Sequence, residues 1–298
     1  MELIELLHSS PALFVGVIFV LGLLVGSFLN VVIHRLPRMM EREWQADCAA
    51  LVTDGAAMQV ADPVPRYNLV TPHSACPGCG TGITASQNIP VVSWLLLGGR
   101  CARCRAPISV RYPVIELTTG ILSALVAWHF GWGWETTCAL VITWYLVAMT
   151  GIDLDTQLLP DSLTLPLLWM GLLAAAWLGR GTMTIPVDLK SAVLGAAFGY
   201  VSLWSVYQLF KLATGKEGMG YGDFKLYAAL GAWFGWQMLL PVILFSAATG
   251  AVVGILLIVL RRHDREVPIP FGPYLAAAGW LVMMWAPVLV APWWALGR

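Results

Sequence analysis

The sequence predicts an all-α polytopic membrane protein with about eight transmembrane helices and one long polar loop after the first. Three observations predict it. Of 298 residues, 58% are hydrophobic and only 11% are charged, against about 25% charged in a typical soluble domain. The mean hydropathy is +0.75, more apolar surface than a soluble chain of this size can hide. The apolar residues also gather into runs of the length a bilayer requires, roughly 20 residues each. Fifteen Trp fit the same picture, because Trp favours the headgroup level.

The opening MELIELLHSS carries Glu2 and Glu5 but no Lys or Arg. A secretory signal needs a basic start and a small-residue cleavage site, so the first apolar run is expected to be a retained helix. Candidate spans fall at about 11–34, 112–130, 136–152, 163–179, 191–210, 224–240, 242–260 and 271–294. The third is short, and Pro241 is expected to mark the turn between the sixth and seventh. Residues 1–34 then form a first transmembrane helix, 35–111 a loop domain, and 112–298 a seven-helix membrane core. The loop is too short for a large core, so something else must staple it.

Orientation follows from Lys and Arg. Eight of the seventeen fall between residues 35 and 111; Lys211, Lys216 and Lys225 follow helix five, and Arg261, Arg262 and Arg265 follow helix seven. Only Arg180, Lys190 and Arg298 would lie on the opposite side. The positive-inside rule places the larger set in the cytoplasm and both termini outside. An odd helix number would scatter these charges over both faces. Lys plus Arg equals Asp plus Glu at 17 each, so the overall balance gives no sign of a nucleic-acid partner.

The loop carries Cys76-Pro77-Gly78-Cys79 and Cys101-Ala102-Arg103-Cys104, with 21 residues between the pairs. Two C-x-x-C pairs at this distance read as a tetrathiolate zinc site. A C-x-x-C turn sets two thiolates on one face of a tetrahedral ion, and Gly78 and Gly80 permit the tight knuckle. The alternative is a pair of disulfides, which a reducing cytoplasm opposes. Four thiolates close the coordination shell, so the zinc is expected to be structural. His73, three residues before Cys76, is the alternative ligand. Cys138, in an apolar run, reads as a small hydrophobe, and Cys48 as a free thiol.

Ionisable residues within membrane segments mark functional sites by default. The candidates are Glu116, Asp153, Asp155, Asp161 and Asp223. Asp153 ends helix three and Asp223 opens helix six, both at the same expected face. Two carboxyls from different helices could share a proton, one activating a water and the other acting as acid. The glycines before Asp223 would let an extended substrate backbone approach. Asp223 could instead be only a helix cap. Asp161, before Ser162-Leu163-Thr164, reads as the N-cap of helix four, and Asp155 as a solvated loop residue. Glu116, early in helix two, faces no obvious cation, pairing with an Arg being the alternative, and its role is open.

At these residues the chain resembles the type IV prepilin peptidases, membrane aspartyl proteases of the GxGD kind. The resemblance rests on the run from Gly26 to Pro37 (GSFLNVVIHRLP), both C-x-x-C pairs, Asp153 to Asp161 (DLDTQLLPD), and Gly220-Tyr221-Gly222-Asp223. It implies that Asp153 and Asp223 are catalytic and that Cys76, Cys79, Cys101 and Cys104 bind zinc. It further implies cleavage of a short basic leader from type IV prepilins and pseudopilins at the cytoplasmic face of a bacterial inner membrane. Methylation of the new N-terminal amine with S-adenosylmethionine is implied as well. No glycine-rich cofactor fingerprint between strand and helix accompanies that last implication. The alternatives are a peptidase without methylation, an ion-coupled transporter, or a scaffold using the zinc loop to bind partners. No repeated halves favour transport.

Overall fold

The structure, a computed structural model, describes residues 2–52, 66–177, 187–261 and 270–294. Of the charges used for orientation, Arg180, Arg262, Arg265 and Arg298 lie outside the described residues. Among the described residues the chain is all-α, without a strand. The short helices are α1 (Glu2–Ser9) and α3 (Val92–Leu96). The long helices are α2 (Pro11–Val52), α4 (Arg111–Phe130), α5 (Trp134–Thr156), α6 (Asp161–Trp177), α7 (Leu189–Thr214), α8 (Tyr221–Phe234), α9 (Leu239–Arg261) and α10 (Gly272–Trp294).

Among the described residues, five helices are long and apolar enough to cross a bilayer, over Pro11–Leu51, Arg111–Phe130, Trp134–Thr156, Leu189–Thr214 and Trp236–Leu256. Trp128, Trp132, Trp134 and Trp177 are exposed at helix ends, as an aromatic belt requires. Three boundaries differ from the sequence expectation. The first helix does not stop near residue 34 but continues to Val52. Residues 38–52 are mostly good helix formers without Gly, and Pro37 removes only one backbone donor. The expected short third span is a full 23-residue helix, α5. The break between α8 and α9 falls at Gly235, with φ at +79°, not at Pro241. Pro241 sits in the first turn of α9, where its missing N–H costs nothing.

The chain divides into two compact units, Val15–Ala124 and Met1–Phe14 with Leu125–Arg298. In the first, α2 and α4 approach backbone to backbone. A Cβ on Gly22 would lie 2.9 Å from the Gly120 Cα, and one on Gly26 would lie 2.8 Å from the Glu116 Cα. Small residues four apart permit this approach in membrane helices. Polar side chains from α2 then tie down the loop region. Asn30 donates to the Tyr112 carbonyl at 3.1 Å, and Arg35 donates to the Asn68 and Pro72 carbonyls at 2.9 and 2.6 Å.

In the second unit α8 is the centre, packed chiefly against α7 and α6 and also touching α10 and α9. Every residue from Phe224 to Phe234 except Lys225 is buried. At about 1.5 Å per residue, its 14 residues are too short for a hydrocarbon core of about 30 Å. A helix sheathed by its neighbours needs no lipid-matched length. Gly195 and Gly199 on α7 face the α8 backbone at Gly231 and at Tyr227 and Ala228.

Candidate active site and candidate metal centre

The metal centre is built from two copies of one hairpin. In the first, the Cys76 N–H donates to the Thr81 carbonyl at 2.9 Å and the Gly80 N–H to the Cys76 carbonyl at 2.8 Å. In the second, the Cys101 N–H donates to the Ala106 carbonyl at 2.9 Å and the Arg105 N–H to the Cys101 carbonyl at 3.0 Å. Each copy is closed by one antiparallel bridge, Ala75 with Gly82 and Arg100 with Pro107. The residue after the second cysteine is left-handed in both, Gly80 at φ +68° and Arg105 at φ +60°. Gly78 contributes space: a Cβ there would crowd Ala106 at 3.3 Å and the Cys104 Sγ at 3.6 Å.

The four Sγ atoms lie within 4.8 Å of one another, and those of Cys76 and Cys104 are 3.6 Å apart. Tetrahedral zinc with Zn–S near 2.3 Å needs sulfurs about 3.8 Å apart, so the donor set fits that ion. The Thr81 hydroxyl and N–H draw the Cys79 thiol down to about 6, toward the thiolate that binds metal. All six cysteines are free thiols, and His73 is not in the cluster. Cys48 is exposed on α2, and Cys138 is half-buried on α5.

The second site forms where α5 ends and α8 and α10 begin. Asp153 lies in the last turn of α5, which closes on a left-handed Gln157. Asp223 lies in the first turn of α8. Both are buried, 4% and 7% exposed, and the charge of Asp153 acts directly on Asp223. A glycine lies against each carboxyl: a Cβ on Gly272 would stand 2.6 Å from Asp153 Oδ2, and one on Gly220 would stand 3.8 Å from Asp223 Oδ2. One oxygen of each is left over. Among the described residues, Asp153 Oδ2 and Asp223 Oδ1 are the buried side-chain atoms without a hydrogen-bond partner. Leu159, on the link from α5 to α6, packs where a Cβ on Gly222 would sit 2.5 Å from its own.

Residues 20–130 match the family described as Bacterial Peptidase A24 N-terminal domain, and residues 140–255 match the Type IV leader peptidase family. A prepilin leader peptidase/N-methyltransferase of Pseudomonas aeruginosa is 53% identical over 285 residues, 96% of this chain and 95% of the relative. The chain belongs to the type IV leader peptidase family. Similarly named relatives occur in Aeromonas salmonicida, 56% identical over 95% of this chain and 94% of theirs, and in Stutzerimonas stutzeri, 51% identical over 99% of both. No solved structure matches.

The motif residues of this leader peptidase chain divide between chemistry and support. The run from Gly26 carries Asn30 and Arg35, which anchor the loop region. Glu116 is also structural. Its Oε2 accepts from the Val91 N–H at 2.7 Å, with the Ser27 hydroxyl in range. That N–H belongs to the residue preceding α3, at φ +60°. Asp155 is exposed in the last turn of α5. Asp161 is not the N-cap expected from the sequence. Pro160 takes that place, its carbonyl accepting from Leu163 and Thr164, and the Asp161 carboxylate accepts from Lys225 Nζ at 2.6 and 2.7 Å. The sequence reading missed Gly272 altogether. The available signal was Pro270-Phe271-Gly272-Pro273, a glycine between prolines opening a helix.

Proposed function

We propose that this chain cleaves the leader peptide of type IV prepilins and pseudopilins by an aspartyl mechanism, with Asp153 and Asp223 as the catalytic pair. One observation carries the reading: two buried carboxyls, brought by different helices to one point, each keep an oxygen that no protein group claims. Like charges this close oppose joint ionisation, so one carboxyl holds a proton and the other does not. The ionised member takes a proton from water as the water attacks the scissile carbonyl carbon. The protonated member gives its proton to the carbonyl oxygen. As the tetrahedral intermediate collapses, the leaving amine takes the proton now held by the first carboxyl, and a hydroxyl of the intermediate returns a proton to the second, so the pair again holds one proton. No side chain becomes covalently attached. Gly220 leaves its side of Asp223 open, since a Cβ there would meet only Asp223 Oδ2, at 3.8 Å, whereas Leu159 fills the space at Gly222.

Zinc on Cys76, Cys79, Cys101 and Cys104 is structural in this reading. It staples residues 35–111, the proposed cytoplasmic zinc domain, and takes no part in hydrolysis, because four thiolates leave no open position. The relatives' printed name supports a second activity, N-methylation of the exposed amine. S-adenosylmethionine would supply an electrophilic methyl group. Among the described residues no helix follows a strand, so the described chain holds no βαβ cofactor pocket, and no residue is assigned to that donor. We place the chain in a bacterial inner membrane, with residues 1–34 as the first span, 112–298 as the peptidase core, and both sites on the cytoplasmic side. The Lys and Arg distribution supports that sidedness.

The test is purified protein in detergent with a prepilin, read by mass spectrometry. Asp153→Asn and Asp223→Asn should each lower the cleavage rate by about 10²–10⁴-fold, the usual worth of one acid–base group. Near-normal cleavage by either variant would sink the assignment. Metal analysis should give about one zinc per chain, and a Cys101→Ser protein should lose it.

A further inference from the structure

Gly272 is the first residue of α10, 119 positions beyond Asp153 in sequence and next to it in space. The first turn of α10 has few free donors. Pro273 carries no N–H, and the N–H groups of Tyr274 and Leu275 both go to the Phe271 carbonyl at 3.1 Å. The remaining donor is that of Gly272, which lies beside the Asp153 carboxyl. It also carries the positive end of the α10 dipole, which favours an anion at that place.

The missing side chain matters as much as the N–H. A Cβ on Gly272 would lie 2.6 Å from Asp153 Oδ2, 3.1 Å from its Cγ and 3.2 Å from Leu159 Cδ1. Asp153 Oδ2 is the oxygen left without a partner in a side chain that is 4% exposed. The space that a side chain at 272 would fill is therefore held by the reactive end of Asp153.

We propose that Gly272 is a positioning residue of the active site: its lack of a side chain leaves the Asp153 carboxyl the room to stand beside Asp223. This rests on the aspartyl peptidase reading. It separates two kinds of glycine around the pair. A Cβ on Gly222 meets the Leu159 Cβ at 2.5 Å and the Leu159 backbone oxygen at 3.1 Å. Relieving that contact moves backbone. A Cβ on Gly272 meets the end of a side chain, and the easiest relief is rotation of the Asp153 carboxyl. Gly272 has no left-handed φ, so alanine meets no penalty on that ground.

The experiment measures kcat, KM and thermal unfolding in detergent for Gly272→Ala, Gly222→Ala, Asp153→Asn and the parent, with a purified prepilin as substrate. Gly272→Ala should lower kcat on the order of 10²-fold, the effect of misplacing a reacting group by about 1 Å. Its KM should stay within about twofold, because the remote substrate contacts that set KM are uniform and unaffected. Its melting point should stay near the parent's, while that of Gly222→Ala falls. A Gly272→Ala protein with parental kcat overturns the proposal. So does one that melts as low as Gly222→Ala, since the lost activity would then follow lost fold. Full cleavage by Asp153→Asn would instead overturn the peptidase assignment on which the inference stands.

Discussion

Gly195→Ala tests the central packing of the membrane core. A Cβ at this position would overlap the Gly231 carbonyl oxygen and lie 2.7 Å from its carbon and 2.9 Å from the Gly235 carbon. All three are backbone atoms, so no rotamer can give way, and α7 and α8 must separate by about 1 Å to restore ordinary contact. Overpacking of this kind costs about 1–3 kcal/mol. A gap of about 0.5–1 Å along the rest of the contact forfeits a quarter to a half of each atom pair's attraction. The gain in helix propensity from Gly to Ala returns at most about 1 kcal/mol. A net loss of about 2–3 kcal/mol follows. Because α8 carries Asp223, cleavage should fall too. The assay is denaturant titration in mixed micelles followed by Trp fluorescence, beside prepilin cleavage. Gly16→Ala is the control, since nothing lies within 4 Å of its added methyl. An unshifted transition for Gly195→Ala would refute the backbone-to-backbone approach of α7 and α8.

Three further outcomes are expected. Arg105→Gly should slow zinc loss to a chelator, because Arg105 holds φ +60°, a conformation that costs a non-glycine residue about 1–2 kcal/mol. Slower loss from the parent than from the variant would contradict this. Glu116→Leu should destabilise the loop region by about 1–3 kcal/mol, the cost of leaving the Val91 N–H unpaired, and protease should reach residues 85–97 sooner at equal temperature. Asp161→Lys and Lys225→Asp should each lower stability by under about 1 kcal/mol, since the pair is half in water. The double exchange should recover most of the loss, and a double variant as weak as the sum of the singles would show that the ion pair contributes nothing.

The apolar runs made the helices legible, because a bilayer imposes length and composition on each span. The cysteine pairs made the candidate metal centre legible, because each knuckle is local: the six residues from Cys76 to Thr81 close it. The aspartate pair was legible as two carboxyls at helix ends on one expected face, and motif resemblance singled it out from Asp155 and Asp161. What the sequence hid is non-local or lies past the end of the apolar pattern. Nothing near Asp161 announces Lys225, 64 residues away, so a cap was the natural reading. Glu116 finds its partner 25 residues back, at Val91. The helix through Val52 hides because residues 38–52 are too polar for a span and yet good helix formers. Pro241 misled because proline marks turns in general but is accepted in a first helical turn, and the left-handed Gly235 did the breaking.

The two unclaimed carboxyl oxygens have a cost. Burying a polar atom without a partner is unfavourable by kcal/mol amounts, so the folded chain holds its reactive pair against its own stability. In the proposed mechanism substrate and water relieve that tension during turnover, and between turnovers it persists. A chain released from the need to cut would therefore gain robustness by losing either carboxyl. Sequence drift without selection on cleavage would run downhill toward an inert, tougher protein.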